Sequence, residues 1–404
     1  MAEIRILETE EQLIRSVQVF RQAMFGLPSA GPINSEWVSR LLQPNRVYGA
    51  YEGEELVGTA NSFLGTLRLP GGEEVSHAAV THVGVSPTHV RRGVVSGLLR
   101  QQLGDLQQQG VVLASLRASQ GQVYQRFGYG IASASLSIEI DKTVGGLAFP
   151  ATHSATIRLL DAAQAWPVLQ QIYQRHPPER AGTLSRWPQW WAFQALRQGT
   201  AAGNFYVAVL GKEGEETAFV RYHAKAEENW LFSQTRTLVV DDLVAARPED
   251  YRALLSFLLS LDVTQRVHFS SRALDDVLPL LANNPRALTL GPVRDETWLR
   301  IIDVQAALNA RRYQPAEPVV VQINDPLIAS NTQRLQLSET GAAPTQQPAE
   351  LTLSITELST LLLGGTKAWQ LAHAARLDEH TEGAIARFDR LTETDTLPYS
   401  GIYF

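Results

Sequence analysis

The chain has 404 residues and is 44% hydrophobic, a length and composition typical of two or three packed domains. Its 35 basic and 41 acidic residues leave a net charge of -6, which argues against a nucleic-acid partner or an anionic membrane surface. The chain has no cysteine, which excludes thiol nucleophiles, thiolate zinc sites and disulfides and is compatible with a reducing cytoplasm.

The amino terminus does not resemble a secretion signal, because Met1 to Arg5 lack a basic segment followed by an apolar one. The longest conspicuous apolar run, Leu254 to Leu261, is far shorter than the roughly 20 residues that span a bilayer. We therefore expect a soluble, cytoplasmic protein without a membrane span.

Residues 1–145 predict an α+β domain. Residues 10–25 have the apolar spacing of an amphipathic helix, and residues 46–85 predict a meander of antiparallel strands broken by the turn compositions EGEE and PGGEE. A helix, the apolar strand VVLASLRA and a short helix or turn in SQGQVYQRFGYG follow. This order predicts a mixed sheet with a crossover helix.

Residues 146–290 predict a second domain. A helix pair surrounds RWPQWWAFQALRQG, the strands NFYVAVL and TAFVRYHAKA follow, and RTLVVDDLVAARPEDYRALLSFLLSLD then runs strand, loop and apolar helix. This order is that of the first domain without its RRG entrance, so a degenerate second copy is a hypothesis. We interpret Asp241 and Asp242 as part of a loop.

Three tryptophans of this second domain allow two interpretations. We expect Trp187, Trp190 and Trp191 to fill a core or a subunit interface, and the alternative is a role in a substrate pocket.

Residues 291–404 predict a smaller α/β unit. We interpret PVVVQIND and LTLSITEL as strands and SETGAAPTQQPAE as a polar loop. The segment LDEHTEG near Asp378 has carboxylates and a histidine, but a solvated turn is the better interpretation, so we expect no metal site.

The stretch VTHVGVSPTHVRRGVVSGLLRQQL, residues 80–103, carries an apolar strand, a proline turn and a helix that begins after Gly93. Unpaired N–H groups and the helix dipole favour an anion there, glycine permits close approach, and Arg91 and Arg92 can neutralise its charge. The alternative is a solvated helix start after a turn at Pro87. The order of parts favours a phosphate-bearing small molecule, although a Walker loop and a dinucleotide fingerprint are both excluded.

The same stretch resembles the acetyl-CoA motif of the GCN5-related N-acetyltransferases. It departs from that motif at Val90, where the family prefers Gln or Arg, and at Val95, where it prefers Gly or Ala. Four motifs, VSPTHVRRGV, ASQGQVYQRFGYGIAS, TWLRIIDVQAALNARRY and LLLGGTKAWQLAHAARL, together resemble the enhanced intracellular survival (Eis) family of N-acetyltransferases and extend over nearly the whole chain.

The resemblance implies tandem acetyltransferase-like domains followed by a sterol-carrier-like α/β domain, assembled as a homo-hexamer. It implies acetyl-CoA as co-substrate, bound through main-chain groups of the central strand and through the entrance. The implied cofactor-binding residues are Val83, Val85, Arg91, Arg92, Gly93, Val94 and Ser119.

Acetyl transfer to an amine needs a base for the ammonium group and an acid for the leaving thiolate. By resemblance the acid is Tyr124, whose ordinary pKa near 10 suits a thiolate of similar basicity. The alternatives are that Tyr124 is a core residue and that Tyr129 is a weaker candidate for the acid. Ser119 is by resemblance a polar residue beside the cofactor, and a helix cap is its alternative role.

The base that the resemblance implies is the terminal carboxylate of Phe404. The last three residues, Ile402 to Phe404, are apolar, so we expect burial to anchor them. Of the histidines near the motif, we expect His77 and His82 to point to opposite faces of one strand, one buried and one exposed.

Phe25 and Trp37 are substrate-pocket residues by resemblance, and packing of the first helix is the alternative. Family members that acetylate polycationic aminoglycosides carry acidic residues beside the pocket. The segments AMFGLPS and YSGIYF contain none, which places aminoglycoside acceptance in doubt.

Together these features predict an N-acetyltransferase that transfers acetyl from acetyl-CoA to a primary amine of a small molecule or a lysine, by direct attack in a ternary complex. The alternative is a non-catalytic lipid-binding or scaffold protein that keeps the fold, because fold does not establish function. The intact entrance, Tyr124 and the apolar carboxyl terminus favour the enzyme.

Overall fold

A computed structural model describes residues 2–25, 35–149, 156–200, 205–227 and 229–404. The elements of the first part of the chain are β1 (Glu3–Leu7), α1 (Glu10–Ala23), α2 (Ser35–Leu41), β2 (Val47–Glu52), β3 (Glu55–Arg68), β4 (Glu74–Val85), α3 (Val94–Gln108), β5 (Leu113–Leu116), α4 (Gly121–Gln125) and β6 (Gly130–Asp141).

The elements of the middle part are β7 (Ile157–Leu160), α5 (Trp166–Arg175), α6 (Pro188–Thr200), β8 (Phe205–Leu210), β9 (Ala218–Ala224), β10 (Thr237–Ala245), α7 (Pro248–Ser260), β11 (Arg266–Ala273), α8 (Leu278–Leu281), β12 (Leu288–Leu290) and β13 (Arg294–Ile301). Those of the last part are α9 (Val304–Ala310), β14 (Val319–Asn324), β15 (Gln333–Ser338), β16 (Gly341–Pro344), β17 (Leu351–Ser354), α10 (Ile355–Leu361), α11 (Ala368–His373), β18 (Asp378–Glu379) and α12 (Ala384–Leu391).

The predicted mixed α/β fold class is confirmed. The amphipathic helix α1 begins at a capping box, in which the Thr9 side chain accepts from Gln12 N–H and the Gln12 side chain accepts from Thr9 N–H. The meander is present as β2, β3 and β4, with β1 added at the edge, and α3 connects the parallel strands β4 and β5 as the predicted crossover.

Two sheets organise the molecule. The larger sheet has 13 strands in the order β1-β2-β3-β4-β5-β13-β6-β11-β10-β9-β8-β7, with β12 paired to β6 beside this path. The smaller sheet has five strands in the order β16-β15-β14-β17-β18. The first two predicted domains therefore share one continuous sheet.

Strand β13 completes that sheet at its centre. It pairs antiparallel with β5, where Trp298 lies opposite Leu116, and with β6, where Arg294 lies opposite Ser135. The other edge of β6 pairs with β11. The domain boundaries after residues 145 and 290 stay predictions, and β13, which follows the second of them, adds a strand to the sheet of the first segment.

The last part of the chain docks on β6 and β13 through close contacts. A Cβ atom at Gly130 would lie 2.3 Å from the Thr356 carbonyl oxygen of α10, so glycine is what lets the two backbones approach. Arg300 of β13 and Asp325 form an ion pair at 2.6 Å, and both side chains are fully buried. These contacts hold the last part of the chain against the larger sheet.

Two sequence interpretations of this last part are wrong in detail. The predicted strand LTLSITEL is a strand only to Ser354, whose hydroxyl accepts from Thr356 N–H and begins helix α10. The predicted loop SETGAAPTQQPAE contains β16, because Gly341, at φ +127, permits the turn that pairs β16 with β15.

The interpretation of Asp241 and Asp242 as loop is also wrong, because both lie on β10. A bulge between Val240 and Asp242 turns the Asp242 side chain inward, where it accepts two hydrogen bonds from Arg186 at 2.6 and 3.0 Å. The Asp241 carboxylate lies 2.8 Å from the ring nitrogen Nδ1 of His223, on the exposed side of the strand.

Among the described residues, no helix is long and apolar enough to cross a bilayer. Within the same ranges, no group of three or more histidine, aspartate or glutamate side chains gathers as a metal ion would require. In the segment LDEHTEG, Asp378 and Glu379 form a two-residue strand with exposed side chains.

Candidate active site

The larger sheet opens between β4 and β5. These strands pair in parallel from His77 opposite Leu113 to Ala79 opposite Ser115, and this ladder covers only the first half of β4. The second half of β4, from Val80 onward, therefore borders a gap at the carboxyl ends of both strands.

Main-chain groups of β4 line this gap. A bulge shifts the β3–β4 register between Thr59 and Asn61, and His82 within it has a φ of 51°. Ser86 N–H donates to the Val57 carbonyl at 2.8 Å, so alternation along the strand directs the N–H and C=O of Val85 toward the gap. Val83 lies in the bulge itself, and its predicted role, like that of Val85, is a main-chain one.

The helix entrance after β4 has the backbone of an anion site. Arg91 and Gly93 both have left-handed backbone angles, with φ of 63° and 83°, and Gly93 is the N-cap of the 15-residue helix α3. A Cβ atom on Gly93 would meet no atom of the described residues within 4 Å, so the space beside this N-cap residue is open. The entrance fits a phosphate group that approaches the main chain.

The side chains at this entrance differ in what they can offer. Arg91 is exposed, whereas the Arg92 guanidinium lies 3.4 Å from Glu52, which also lies 3.6 Å from His89. Val94 is 4% exposed and packs against Gly58, so a ligand can meet only its N–H group. The charge available to a pyrophosphate is therefore that of Arg91 and, in part, that of Arg92.

Replacing Gly93 by aspartate should weaken acetyl-CoA binding at least tenfold, about 1.4 kcal/mol, because a carboxylate would stand where the phosphate must approach. Isothermal titration calorimetry measures this change. Gly110 at the opposite end of α3 also has a positive φ and open space around it, so Gly110→Asp is the matched control for backbone strain. Equal cofactor affinity in the two variants would contradict an anion site at Gly93.

The corresponding helix of the second domain presents a different entrance. Strands β10 and β11 pair in parallel from Thr237 to Val240, as β4 and β5 do, but the N-cap of α7 is Arg247. Asp250 in the first turn of α7 is paired with Arg247 at 2.7 Å. A carboxylate already stabilises this helix terminus, which makes it a poor phosphate site.

Tyr124 lies on α4, directly after β5, at the gap end of the sheet. Its side chain is 6% exposed and its ring centroid is 6.0 Å from that of Tyr129. Burial raises the pKa of Tyr124 to about 12, so the hydroxyl keeps its proton at neutral pH. Burial also raises the pKa of Tyr129, whose hydroxyl is enclosed and has no hydrogen-bond partner among the described residues. Ser119 is exposed and does not cap α4, because the N-cap residue is Gln120.

The carboxyl-terminal segment, residues 397–404, lies across the same end of the sheet. Arg117, which follows β5, and Glu296 of β13 form an ion pair at 3.3 Å with side chains only 5% and 7% exposed. Glu296 accepts from the N–H groups of Ser400 and Gly401 at 3.2 and 3.1 Å. Arg117 donates to the Ile402 carbonyl. The last residues are thus bound by main-chain contacts beside the gap.

Aromatic side chains complete this contact. Trp187 packs edge-on against the Phe404 ring with centroids 5.5 Å apart, and Trp187 stacks on Phe63 of β3 at 5.5 Å. Trp190 donates through its indole N–H to the Tyr403 carbonyl at 3.0 Å. Trp187 and Trp190 are each 5% exposed, so they are core residues, as expected, that also contact the terminus.

The expectation that all three last residues are buried is wrong for Tyr403. Ile402 is 5% exposed and Phe404 is partly buried, but the Tyr403 side chain is 69% exposed. Tyr403 is held by its carbonyl group, so its side chain is left to point outward.

The two histidines of β4 do not divide into one buried and one exposed residue. His77 is 1% exposed and its Nε2 atom lies 2.7 Å from the Ser115 hydroxyl. His82 is partly buried, with its ring centroid 4.5 Å from that of Phe20, because the bulge turns it toward α1. Burial lowers the pKa of His77 to about 3 and that of His82 to about 4, so both are neutral at pH 7.

Acid should destabilise the protein partly through His77. The unfolded state binds a proton near pH 6.5 and the folded state only near pH 3, so stability is complete above pH 6.5 and falls below it by up to about 1.4 kcal/mol per pH unit. Between pH 6.5 and 4.5, the unfolding temperature of His77→Gln should fall less steeply than that of the wild type. The exposed His373 provides the control His373→Gln, and equal slopes in all three proteins would refute this assignment.

The predicted substrate residues Phe25 and Trp37 are not brought together by the described residues. Phe25 is 88% exposed, and residues 26–34, which separate the two in the sequence, lie outside the described ranges. Trp37 lies in a groove of about 240 Å³ between α2 and α6. The other lining residues of this groove are Arg40, Leu41, Ala192, Ala195 and Leu196.

Sequence reasoning missed Arg117 and Glu296, and it named Trp187 and Trp190 without predicting their contact with the terminus. Arg117 directly follows β5, a strand of four buried residues, LASL. A charged residue next to a buried strand is unusual unless it has a function, so this position was a signal in the sequence. Glu296 offered no comparable signal, because it lies in a charged segment, RDE, that resembles a solvated turn.

Comparisons with known proteins agree with this architecture. Residues 3–132 and residues 182–301 each match an acetyltransferase (GNAT) domain, and residues 304–401 match a sterol carrier protein domain. An uncharacterised N-acetyltransferase of Streptomyces avermitilis is 31% identical over 95% of both chains. N-acetyltransferase Eis of Mycobacterium tuberculosis is 28% identical over 86% of this chain and 85% of its own.

The crystal structure of Eis1 from Mycobacterium abscessus has 38% sequence identity to this chain, a TM-score of 0.92 and complete coverage of both chains. Sequence identity and coverage at this level show a shared family as well as a shared fold. The chain therefore belongs to the Eis-like family of GCN5-related N-acetyltransferases, with two acetyltransferase domains followed by a sterol-carrier-like domain.

Proposed function

We propose that the protein transfers the acetyl group of acetyl-CoA to a primary amine by direct attack in a ternary complex. The observation that carries this proposal is that the gap between β4 and β5, the helix entrance at Gly93 and the bound carboxyl terminus all lie at one end of the larger sheet. Acetyl-CoA supplies the thioester, and the entrance residues Arg91, Arg92, Gly93 and Val94 would hold its pyrophosphate. The role of Ser119 stays a prediction.

The chain itself supplies the acid and the base in this proposal. The terminal carboxylate of Phe404 accepts the proton of the acceptor ammonium group, which leaves a neutral amine as nucleophile. The Tyr124 hydroxyl donates its proton to the thiolate that leaves. The main-chain N–H of Val85, and that of Val83 within the bulge, would stabilise negative charge on the acetyl oxygen.

The charge around the terminus supports an acceptor less cationic than an aminoglycoside. Glu296 and Asp275 are carboxylates that contact the terminal segment, and Arg117 and Arg180 already balance their charges. The groove beside Trp37 is lined by Arg40, which adds a positive charge there. We propose that Trp37 and Phe25 contact the apolar part of a small monoamine or of a lysine side chain.

We also propose that the protein acts in the cytoplasm as a homo-hexamer. Exposed apolar side chains support an assembly, among them Leu231, Phe232 and Phe149, which are 79%, 82% and 75% exposed. Size-exclusion chromatography with light scattering tests the state of assembly.

Calorimetry with acetyl-CoA, followed by an amine panel monitored through release of free thiol, tests the proposed reaction. We expect cofactor binding without an amine, thiol release that depends on the amine, and kcat/KM higher for a monoamine than for a polycationic aminoglycoside. Cofactor binding without turnover of any amine would favour a protein that has kept the fold without the activity.

A further inference from the structure

We propose that Glu296 and Arg117 form a clamp that positions the terminal carboxylate, and that the clamp binds the last five residues as it would bind a separate peptide. The clamp is defined by these two side chains. The inference rests on the proposed function for its catalytic consequence, but the binding of the terminal segment is a distinct property that can be measured without turnover.

Glu296 recognises the main chain of the terminal segment. Its Oε1 atom accepts from Ser400 N–H at 3.2 Å, from the Ser400 hydroxyl at 2.8 Å and from Gly401 N–H at 3.1 Å. Hydrogen bonds to a buried carboxylate are stronger than those between neutral groups. Three such contacts from adjacent residues make Glu296 the main attachment point of the segment.

Arg117 contacts three residues of the same segment, namely Ser400, Ile402 and Phe404. Its Nη2 atom donates to the Ser400 hydroxyl and to the Ile402 carbonyl, and it lies 3.3 Å from Glu296 Oε1. Its guanidinium group lies over the Phe404 ring, 5.4 Å from the centroid. The Arg117 guanidinium group therefore contacts the residue before Tyr403 and the residue after it, namely Ile402 and Phe404.

The clamp is anchored on the rigid centre of the larger sheet. Ser133 of β6 donates to Glu296 Oε2 at 2.7 Å, and Arg117 donates to Thr297 of β13 at 3.0 Å. Both charged side chains are almost completely buried, so neither can turn to solvent without leaving the other unpaired. The clamp is thus preorganised by elements that do not belong to the terminal segment.

The tryptophans close the other side of the segment. Trp190 donates to the Tyr403 carbonyl, and Trp187 packs against the Phe404 ring. Of the last three residues, Ile402 is buried and the Phe404 ring contacts Trp187, whereas Tyr403 contributes its main-chain carbonyl. The terminal carboxylate belongs to Phe404. This residue is held at its own ring by Trp187 and through the carbonyl group of the preceding residue by Trp190.

This geometry makes Glu296 a positioning residue for the carboxylate. Glu296→Gln keeps the size of the side chain but removes its charge, so each contact to Ser400 and Gly401 loses its charge assistance. We expect release of Phe404 by a carboxypeptidase that prefers aromatic residues to accelerate at least about tenfold, the scale of one charge-assisted hydrogen bond. We expect kcat/KM for the amine to fall by a similar factor while the affinity for acetyl-CoA is unchanged.

Glu350→Gln is the matched control. Glu350 also pairs with an arginine, Arg387 at 2.6 Å, and also accepts from a main-chain N–H, that of Val320 at 2.9 Å, but it lies directly before β17, beside the smaller sheet. Its variant should show wild-type rates of Phe404 release and of turnover. Equal release of Phe404 from the Glu296 and Glu350 variants would overturn the clamp.

The closing experiment supplies the segment in trans. A chain ending at Tyr399 is combined with the peptide Ser-Gly-Ile-Tyr-Phe, once as the free acid and once as the carboxyl-terminal amide. We expect both fluorescently labelled peptides to bind the shortened chain in an anisotropy titration and only the free acid to restore acetyl transfer. The same titration with Glu296→Gln in the shortened chain should show weaker binding.

The outcomes separate the clamp from the proposed mechanism. Binding of both peptides with equal rescue would support the clamp and refute the carboxylate base. Failure of either peptide to bind a shortened chain that still binds acetyl-CoA would refute the clamp. If the shortened chain does not fold, the rate of Phe404 release from full-length Glu296→Gln decides the question.

Discussion

A short extension beyond Phe404 is expected to lower kcat/KM for acetyl transfer at least about a hundredfold, the scale of losing a general base. The extension converts the terminal carboxylate into an amide, which has no oxygen basic enough to accept an ammonium proton. An extension of equal length at the amino terminus should leave turnover unchanged. Initial rates of the two proteins, compared at an equal state of assembly, measure the effect.

A substitution at the same residue separates charge from packing. Phe404→Leu keeps the carboxylate but removes the ring that contacts Trp187 and Arg117, so its activity should fall much less than that of the extended protein. Equal activities of the two extended proteins would show that another group is the base. His82, which is neutral at pH 7 because burial lowers its pKa to about 4, would then be the next candidate for the base, acting through a water.

Tyr124→Phe is expected to lower kcat about a hundredfold while acetyl-CoA affinity stays within a few-fold, because it deletes the proton donor and keeps the buried ring. Since burial raises the pKa of Tyr124 to about 12, the wild-type rate should show no basic limb from this residue below about pH 11. Steady-state kinetics across pH, together with calorimetry, measure both properties.

Tyr129→Phe is the control for this variant. The two rings pack against each other with centroids 6.0 Å apart, but the buried Tyr129 hydroxyl has no hydrogen-bond partner in the described part of the chain, so its removal breaks no hydrogen bond found there. The control should keep wild-type turnover. If the Tyr129 variant loses activity and the Tyr124 variant does not, the acid has been assigned to the wrong tyrosine.

The parts of the site that the sequence could predict are contiguous in the chain. The entrance around Gly93 and the helix of Tyr124 each depend on a local pattern of strand, turn and helix, which short-range rules describe. The open backbone at Gly93 follows from that pattern. The gap along β4 and the bulge at His82 depend on how β4 pairs with β5 and β3, so they needed the fold.

The clamp could not be predicted in this way. Arg117 and Glu296 are 179 positions apart, and they meet because β13 inserts between β5 and β6. Sequence patterns identify a strand but do not say which neighbour it pairs with. For the same reason Asp242 resembled a loop residue, although its buried partner Arg186 lies 56 positions away.

The insertion of β13 also determines when the sheet can form during synthesis. When the ribosome has released residues up to Asp141, β5 and β6 are available but the strand that joins them is not. Their facing edges stay unpaired until residues 294–301 emerge, and such edges invite pairing with other chains. A fragment ending near residue 145 should therefore aggregate when it is expressed alone. In the nascent enzyme, the edges of β5 and β6 are protected from other chains only after β13 in the later half has been synthesised.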